Sequence, residues 1–339
     1  MKDEPSKSRP VPRAAIVGAG LMGRWHAHGV QRAGGVLCAI IDPDRSRAAR
    51  LVQHHPEARV FSNLSAFAGE DLADVVHICT PPETHEALAR QSLEAGMHSI
   101  VEKPLTESGE TTEKLLRLAE SRGLLLCPVH QFLFQRGVLQ VQKALEKIGP
   151  LLHVDTLICS AGAEGGSLDA DRLVAEILPG PLSLVVRLLP ASIRMANWCV
   201  EHPAGGELRV STTVGPISVS MLISMSGRPT TNALRLIGER GTAHADLFHG
   251  FAVIERGTVS RARKMAKPFV HGGATLYSAA MNLLARAANR EPAYPGLWEL
   301  IRRFYVAVRS GSEPPIMPAE TRDVALARDQ ILAKVSSKV

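Results

Sequence analysis

Residues 14–23 read AAIVGAGLMG, a short apolar run followed by three spaced glycines. The run Ala14–Val17 predicts a buried strand, and the residues from about Met22 to Gly34 predict a helix. In such a turn the glycines permit a tight bend, a close approach of backbone to a diphosphate, and close packing of helix on strand. Unpaired N–H groups at the helix start also favour an anion. We therefore expect a dinucleotide to contact Gly18, Gly20, Leu21, Met22 and Gly23.

An acidic residue stands where the second part of this pattern requires one. Asp42 follows the predicted strand Val36–Ile41 and lies roughly 20 residues after Gly23. A carboxylate there accepts hydrogen bonds from the ribose hydroxyls of adenosine and repels a 2′-phosphate, which favours NAD over NADP. Arg45 and Arg47 follow closely and partly offset this preference, so NADP stays an alternative.

The residues from 13 to 128 alternate between short apolar runs and helical stretches. Further runs predict strands at Val60–Phe61, Val75–Cys79, His98–Val101 and Leu124–Pro128. Short, continuously apolar strands between helices are typical of a parallel sheet covered on both faces. We therefore predict an N-terminal Rossmann domain with a doubly wound parallel sheet over residues 13–128.

Beyond residue 128 the pattern changes to consecutive strands joined by short, glycine-containing turns. The predicted strands include Glu207–Val214, Ile217–Met225, Asn232–Gly238, Thr242–Leu247 and Ala252–Glu255. Short links between consecutive strands favour antiparallel pairing. Helices are predicted at Leu133–Ile148, Asp171–Leu189, Ala274–Ala288, Leu297–Ser310 and Ala319–Lys334. The fold class is therefore α/β, with a C-terminal α+β domain at 129–339 that carries a mostly antiparallel open sheet and a last helix that is a candidate to pack on the first domain.

Composition excludes several classes of protein. At roughly 150 residues per domain, 339 residues predict about two domains. The net charge of +6 is spread along the chain without a basic stripe, so we expect no nucleic-acid partner. Residues 1–12 lack an apolar segment and predict a disordered tail rather than a signal peptide. No apolar run reaches about 18 residues, so no membrane helix is expected.

The cysteines indicate a reducing compartment. There are five of them, an odd number, and they lie far apart in the sequence without a CxxC pair: Cys38, Cys79, Cys127, Cys159 and Cys199. Such a pattern is typical of free thiols rather than of a disulfide framework or a metal site. We therefore expect a cytoplasmic protein with no bound metal.

Four motifs together resemble one enzyme family. They are GAGLMGRWHA at 18–27, CTPPETH at 79–85, VEKPL at 101–105 and IGERGTAHADL at 237–247. In this order, with a Rossmann domain before a mainly antiparallel sheet, the chain resembles the Gfo/Idh/MocA family, which includes glucose–fructose oxidoreductase and inositol 2-dehydrogenase. The resemblance implies oxidation or reduction of carbinol and carbonyl groups, often of sugars and cyclitols, with NAD(H) or NADP(H).

The resemblance also implies roles for single residues. Thr80 and Pro81 would lie along the cofactor, and His85 would begin the next helix near the nicotinamide half. Glu102 and Lys103 would line the nicotinamide and substrate pocket, with a Lys-Pro bond that is often cis in the family. Lys103 is the best candidate for a catalytic residue, because an ammonium group can polarise a carbonyl oxygen or stabilise an alkoxide.

The chain departs from the family pattern in its second domain. Sugar dehydrogenases of the family usually carry a histidine there, in a stretch similar to GGxxxDxGxH, and this chain has Gly180 between two prolines instead. His130, which follows the last predicted strand of the first domain, is the candidate replacement; Asp171 and Glu176 are alternatives. Otherwise the substrate needs little acid catalysis, as in an imine or enone reductase, or the protein is a non-catalytic NAD(P)-binding sensor or scaffold.

The sequence as a whole predicts an NAD(P)-dependent oxidoreductase. Hydride would pass between nicotinamide and a carbinol or carbonyl carbon of a small polar substrate, similar to a sugar or cyclitol. Family members are often dimers or tetramers that associate through the exposed face of the second-domain sheet, so we expect a homodimer or homotetramer. Substrate identity and reaction direction are not encoded in any motif found here.

Overall fold

The structure, a computed structural model, describes residues 11–68, 73–160, 169–257, 261–291 and 293–336. Most of the predicted tail at 1–12 lies outside these residues. The chain divides into two compact units: one takes in residues up to Val129 together with Leu297–Ala325, and the other takes in His130–Gly296 and the residues from Leu326 onward. The sequence pattern instead predicts residues 297–325 as part of the second domain.

The first unit is built from alternating strands and helices. Its strands are β1 Arg13–Val17, β2 Val36–Ile41, β3 Arg59–Phe61, β4 Val75–Ile78, β5 His98–Val101 and β6 Leu126–Pro128. Its helices are α1 Leu21–Arg32, α2 Arg45–Val52, α3 Leu64–Ala68, α4 His85–Glu94, α5 Gly109–Ser121 and, from later in the chain, α10 Leu297–Ser310. The short helix α3 was not predicted, because five residues are too few to show a helical period.

The six strands form one parallel sheet in the order β3-β2-β1-β4-β5-β6. The chain leaves β1 toward β2 on one side and later returns to β4 on the other. The order therefore reverses between β1 and β4, and ligands of such sheets bind at that point, outside the carboxyl ends of the strands. This arrangement confirms the predicted doubly wound Rossmann sheet.

Both faces of this sheet are covered. On one face, alternate strand residues such as Val17, Ile41 and Ile78 pack with Leu93 of α4 and Leu115 of α5 in a buried cluster. On the other face α1 lies beside α10. A Cβ on Gly29 would lie only 2.6 Å from the Ile301 side chain, so a glycine is needed for these two helices to approach this closely.

The second unit carries the other sheet. Its strands are β7 Leu151–Cys159, β8 Cys199–Ala204, β9 Glu207–Val214, β10 Ile217–Ser224, β11 Thr231–Gly238, β12 Gly241–Asp246 and β13 Phe251–Arg256, in the order β13-β12-β11-β7-β10-β9-β8. Only the pair of β7 and β10 is parallel among these described strands, which confirms the mostly antiparallel sheet. Its helices are α6 Arg136–Ile148, α7 Ala170–Ile177, α8 Pro179–Leu188 and α9 Arg261–Ala288; α11 Pro318–Ser336 is divided between the units.

Three elements of this unit differ from the prediction. The edge strand β8 was missed, because it contains Pro203, a residue that argues against a strand interior. The stretch predicted as one interrupted helix is two helices, since α8 begins at Pro179, where a proline is well tolerated. Helix α9 starts thirteen residues before the predicted Ala274, at Arg261, and runs through Pro268, a residue that normally argues against a helix interior.

Candidate active site

The turn between β1 and α1 packs tightly at two of its glycines and lies open at the third. Gly18 has a φ of +94°, and a Cβ there would lie 2.7 Å from the carbonyl oxygen of Cys79. A Cβ on Gly23 would overlap the carbonyl oxygen of Gly18. Nothing lies within 4 Å of the position that a Cβ on Gly20 would take. The turn therefore offers free space beside bare backbone at Gly20.

The start of α1 fits a bound diphosphate. Gly20 is the N-cap residue and supplies no side-chain hydrogen bond to the first turn of the helix. Leu21 is 54% exposed, and Met22 is half-buried. Because no side chain caps this end, its N–H groups and the positive end of the helix dipole face the open space, as an anion site requires.

Asp42 is tied to this turn by its carboxylate. One oxygen accepts the N–H of Ala19 at 2.7 Å, and the other accepts the N–H of Asp44 at 2.8 Å. The side chain is buried, with 5% of the residue exposed. An ionised carboxylate has about four lone-pair sites, so two sites remain for ribose hydroxyls.

A basic groove of about 530 Å³ lies beside the turn, between α1 and α2. Gly20 and Leu21 form one wall, and Arg24, Arg47 and Arg50 contribute positive charge. Arg47 is also paired with Asp44 at 3.2 Å, which moderates its charge. Arg24 and Arg50 were not predicted as site residues, unlike Arg47, because only the folded positions of α1 and α2 bring the three arginines to one groove. The groove fits an anionic ligand.

The loop after β4 is held by His85. The Nδ1 atom of this histidine lies 2.7 Å from the carbonyl oxygen of Pro104, and Nε2 lies 2.8 Å from the carbonyl oxygen of Thr80. The side chain is fully buried, whereas Pro81 is exposed and Thr80 half-buried. His85 thus connects the loops after β4 and β5, and both of its ring nitrogens are occupied by backbone.

Glu102 and Lys103 directly follow β5 at the same sheet edge. The Oε2 atom of Glu102 accepts the backbone N–H of Lys103 at 3.2 Å. The side chain of Lys103 is half-buried, and its ammonium group forms no hydrogen bond or ion pair with the parts of the chain that the structure describes. The Lys103–Pro104 peptide bond is cis. The edge therefore presents an available cation next to a buried carboxylate.

A network of buried side chains connects Glu102 to the interior. Glu102 Oε1 lies 3.1 Å from Nε2 of His26 on α1, and Nδ1 of His26 lies 2.9 Å from Nδ1 of His77 on β4. The Nε2 atom of His77 lies 2.8 Å from the hydroxyl of Tyr305 on α10. Both histidines and the tyrosine are fully buried. We call Tyr305, His77, His26 and Glu102 the buried polar chain.

Burial and hydrogen bonding set the charges in this network. Burial holds the pKa of the His77 imidazole well below its usual value, with His26 as a further cause. Burial alone would raise the pKa of Glu102, but the hydrogen bond and charge of His26, followed by the charge of Lys103, outweigh it and lower that pKa. Burial raises the pKa of the Tyr305 phenol well above its usual value. Glu102 is therefore an anion, and His77 and Tyr305 are neutral.

His130 and Gly180 belong to the second unit. His130 is buried at the start of a short 3₁₀ helix, Gln131–Phe134. A Cβ on Gly180 would lie 3.0 Å from the ring of Phe132, so a larger side chain at 180 would press on that ring. Phe132 thus accounts for the glycine at the position where the family pattern led us to look for a histidine.

The two acidic alternatives already have partners. Asp171 accepts the N–H of Gly206 at 2.6 Å and contacts Nε2 of His202 at 2.9 Å. The hydrogen bond from Gly206 and then the contact with His202 lower the pKa of the Asp171 carboxyl despite burial. Glu176 pairs with Arg172 at 3.2 Å.

The structure brings most of the predicted site residues to one edge of the first sheet, where β1, β4 and β5 end, and it places His130 in the other unit. Sequence reasoning missed the parts played by His77 and Tyr305. The signal for His77 was present, because a histidine inside the apolar run VVHI is a polar residue at a buried strand position. Tyr305 lies 228 residues from its partner and gave no such signal.

Two absences hold for the described part of the chain. No group of three or more histidine, cysteine, aspartate or glutamate side chains there is arranged to hold a metal ion. Among the described helices, none combines the length and apolar character needed to cross a membrane. Cys38 and Cys127 are buried, and neither is joined in a disulfide.

Comparison with known proteins gives a family match for the first part of the chain. Residues 12–130 match the family described as GFO_IDH_MocA, an oxidoreductase family with an NAD-binding Rossmann fold. An inositol 2-dehydrogenase of Corynebacterium glutamicum is 34% identical over 216 residues, which are 62% of this chain and 63% of that protein. The matched segment thus spans less than two thirds of that relative.

Solved structures extend the similarity in fold to nearly the whole chain. A UDP-N-acetylglucosamine 3-dehydrogenase of Acidithiobacillus ferrooxidans has a TM-score of 0.76 at 20% identity, covering 97% of this chain and 99% of the other. The WlbA dehydrogenase of Bordetella pertussis, solved with NADH and UDP-GlcNAcA, has a TM-score of 0.75 at 15% identity, covering 99% and 98%. At these identities the structures show the fold alone. The first part of this chain, residues 12–130, therefore matches the Gfo/Idh/MocA oxidoreductase family with its NAD-binding Rossmann fold, and the chain as a whole shares the fold of these dehydrogenase structures.

Proposed function

We propose that the protein transfers a hydride between a nicotinamide cofactor and a carbinol or carbonyl carbon of a small polar substrate, similar to a sugar or cyclitol. One observation carries the proposal: an uncapped, glycine-lined helix start and an available lysine lie at the carboxyl edge of one parallel sheet. The name of the inositol 2-dehydrogenase relative supports the substrate class.

The cofactor is held by residues with distinct tasks. Gly18, Gly20 and Gly23 shape the turn, and the N–H groups of Leu21 and Met22 face the diphosphate. Asp42 accepts hydrogen bonds from the adenosine ribose, while the arginines of the basic groove leave NADP as an alternative to NAD. Thr80 and Pro81 line the cofactor after β4. When bound, the nicotinamide supplies or accepts the hydride.

Lys103 is the catalytic residue of this proposal. Its ammonium group donates a hydrogen bond to the substrate oxygen and stabilises the negative charge that develops there during transfer. Glu102 adjoins the nicotinamide and fixes the backbone of Lys103 through its hydrogen bond. His130 is the candidate that moves a proton to or from the substrate oxygen.

Replacing Lys103 tests the reaction directly. We expect Lys103→Ala to lower kcat by about 100-fold or more, because the hydrogen bond to the substrate oxygen and the stabilisation of its developing charge are lost together. NADH affinity, measured by nicotinamide fluorescence, should change little. Lys114→Ala, at an exposed lysine on α5 paired with Glu110, is the matched control and should keep full turnover. Unchanged turnover in Lys103→Ala would refute the proposed role.

A second candidate function is reduction of an imine or enone. The observation that favours it is the closeness of the Phe132 ring to Gly180. A side chain at position 180 would press on that ring, so a histidine there is sterically unfavourable. Such substrates need little acid catalysis from the protein. A turnover screen with inositols, sugars, nucleotide sugars, cyclic imines and enones separates the two candidates. NADH binding without turnover on the whole panel favours a non-catalytic sensor instead.

A homodimer or homotetramer in the cytoplasm completes the proposal. Helix α9 carries large apolar side chains that are at least 60% exposed in the single chain: Met265, Phe269, Val270, Leu276, Tyr277, Leu283 and Leu284. Patches of this kind mark protein interfaces, so a second copy is expected to cover them. Cys38 and Cys127 are buried outside any disulfide, which fits a reducing compartment.

Light scattering after size exclusion tests the assembly. We expect the mass of two or four chains for the native protein and of one chain for the double variant Phe269→Glu with Leu284→Glu. Met195→Glu alters another exposed apolar residue, 95% accessible and outside α9, and should leave the mass unchanged. A monomeric native protein at micromolar concentration would contradict this part of the proposal.

A further inference from the structure

The buried polar chain places polar side chains in the interior of the first unit, where their loss of contact with water disfavours folding. His77 lies in β4, a central strand whose other residues are apolar, and His26 lies against it from α1. A buried polar group that loses its partner destabilises the fold, and apolar replacements of similar volume often serve stability as well. Stability alone therefore gives no account of three consecutive hydrogen bonds.

The hydrogen bonds fix which atom faces Glu102. The carboxylate is ionised and only accepts, so Nε2 of His26 donates to it. If His26 is neutral, its Nδ1 accepts from Nδ1–H of His77, whose Nε2 accepts from the Tyr305 hydroxyl. If His26 is charged, these last two bonds reverse. In both states every bond has one donor and one acceptor, and the donor toward Glu102 is the same.

Of the buried polar chain, only Glu102 reaches the candidate site. Tyr305, His77 and His26 are fully enclosed, whereas the Glu102 side chain is 11% exposed at the sheet edge. Its Oε2 atom accepts the N–H of Lys103, so the orientation of the carboxylate and the backbone of the lysine are coupled. Cys79 is another titratable group that faces Glu102. Burial, and then the charge of the Glu102 carboxylate, raise the pKa of the Cys79 thiol well above its usual value, so the thiol is neutral.

We propose that Tyr305, His77 and His26 position Glu102 for the reaction, with His26 as the positioning residue that holds the carboxylate ionised and oriented beside Lys103. This rests on the proposed function, in which Lys103 stabilises charge on the substrate oxygen. The Glu102 carboxylate, held in one orientation next to that ammonium group, contributes a fixed electrostatic field at the substrate oxygen. At the far end, burial is the main cause that raises the pKa of the Tyr305 phenol, and the nearby acidic groups of Cys38 and Asp74 raise it further.

Carbon-13 NMR of labelled glutamate carboxyls tests the positioning without any substrate, with Glu102→Gln to assign the signal. In His26→Leu, which keeps an apolar side chain of similar bulk, we expect the proton affinity of Glu102 to rise about tenfold or more. His26→Gln places an amide N–H near the former Nε2 position and should restore most of the native titration. Tyr305→Phe keeps the ring and should shift Glu102 in the same direction by a smaller amount.

Measurements of kcat then test whether the buried polar chain affects the reaction. On the best substrate of the panel, we expect His26→Leu to lower kcat about 10-fold to 100-fold, His26→Gln to recover most of it, and the NADH dissociation constant to change less than about threefold. A native Glu102 titration in folded His26→Leu, or an unchanged kcat, overturns the inference. If His26→Leu does not fold, Tyr305→Phe decides by the same two readouts.

The outcomes separate this inference from the proposed function. Absence of dinucleotide binding in the native protein refutes the proposed function, and the carboxyl titration still decides whether His26 controls Glu102. If the native protein turns over substrate but the Glu102 titration is the same with and without His26, the positioning role is refuted and the proposed function stands.

Discussion

At the scale of single residues, Asp42 combines two tasks that the sequence pattern assigned to it only in part. Its carboxylate anchors the glycine turn through the N–H groups of Ala19 and Asp44, and its remaining lone pairs are available to a ribose. The first task was not predicted, because it depends on how the backbone after β1 approaches the end of β2. The same negative charge disfavours a 2′-phosphate.

We expect loss of this charge to shift the choice of cofactor. In Asp42→Asn and Asp42→Ala the ratio of NADPH to NADH dissociation constants should fall about fivefold or more, since a unit charge about 4 Å away contributes about 1 kcal/mol even in water. Fluorescence titration of both reduced cofactors measures the ratio. A shift in the alanine variant alone would assign the effect to the one backbone hydrogen bond that an asparagine oxygen can still accept, and an unchanged ratio in both would remove Asp42 from cofactor selection.

At the scale of elements, the turn from β1 into α1 could be predicted from the sequence because its requirements are local. An apolar run, three glycines and a helical stretch are all contained in residues 14–34, and the structure places β1 and α1 within two residues of the predicted bounds. The buried polar chain could not be predicted, because its members come from α1, β4, β5 and α10. Their meeting depends on strand order and on the packing of α10, which no local pattern specifies.

Two glycines of this turn should respond differently to the same added methyl group. Gly23→Ala would force a Cβ against the carbonyl oxygen of Gly18, so we expect the free energy of unfolding to fall by on the order of 2 kcal/mol or more. Gly20→Ala adds a Cβ in open space at a backbone conformation that alanine adopts, with a φ of −74°. It should keep native stability and weaken NADH binding about tenfold or more.

Thermal melts and NADH titrations of the two variants provide the comparison. Equal losses of stability in both variants would show that the space at Gly20 is not free. Native NADH affinity in a folded Gly20→Ala protein would show that the diphosphate does not approach this backbone.

At the scale of the whole molecule, the first unit draws residues 297–325 from far along the chain. The sequence predicted helix α10 with its observed bounds, Leu297–Ser310, but its periodicity does not tell which sheet the helix covers. Tyr305 explains why α10 lies on the first sheet. Its hydroxyl is hydrogen-bonded to His77, and its ring lies so close to Gly35 that a Cβ on that glycine would overlap it. This unit is therefore built from two segments that lie far apart in the sequence.

Buried histidines should make the molecule sensitive to mild acid. Burial lowers the pKa of His77 well below the usual 6.5, so the unfolded chain takes up a proton below that pH while the folded chain does not. This contribution to stability is complete above about pH 6.5 and is lost as the pH falls toward the lowered pKa, with a limiting slope of about 1.4 kcal/mol per pH unit. The lowered pKa of Glu102 acts in the same direction only below about pH 4.5.

Denaturant melts between pH 7.5 and 5.5 measure this dependence. We expect stability to fall toward pH 5.5 and the slope to be shallower in His77→Gln, which cannot take up a proton there. His55, His98 and His244 also have pKa values lowered by burial, so part of the slope should remain. An identical slope in the native protein and the variant would contradict a neutral, buried His77.

The central claim is that the glycine turn at the start of the chain binds a nicotinamide dinucleotide. Isothermal titration of the native protein with NADH and NADPH, and with their oxidised forms, tests it most directly. The account predicts saturable binding of at least one of the four, with a dissociation constant between about 1 µM and 1 mM and a stoichiometry of one per chain. Absence of measurable binding for all four would contradict it.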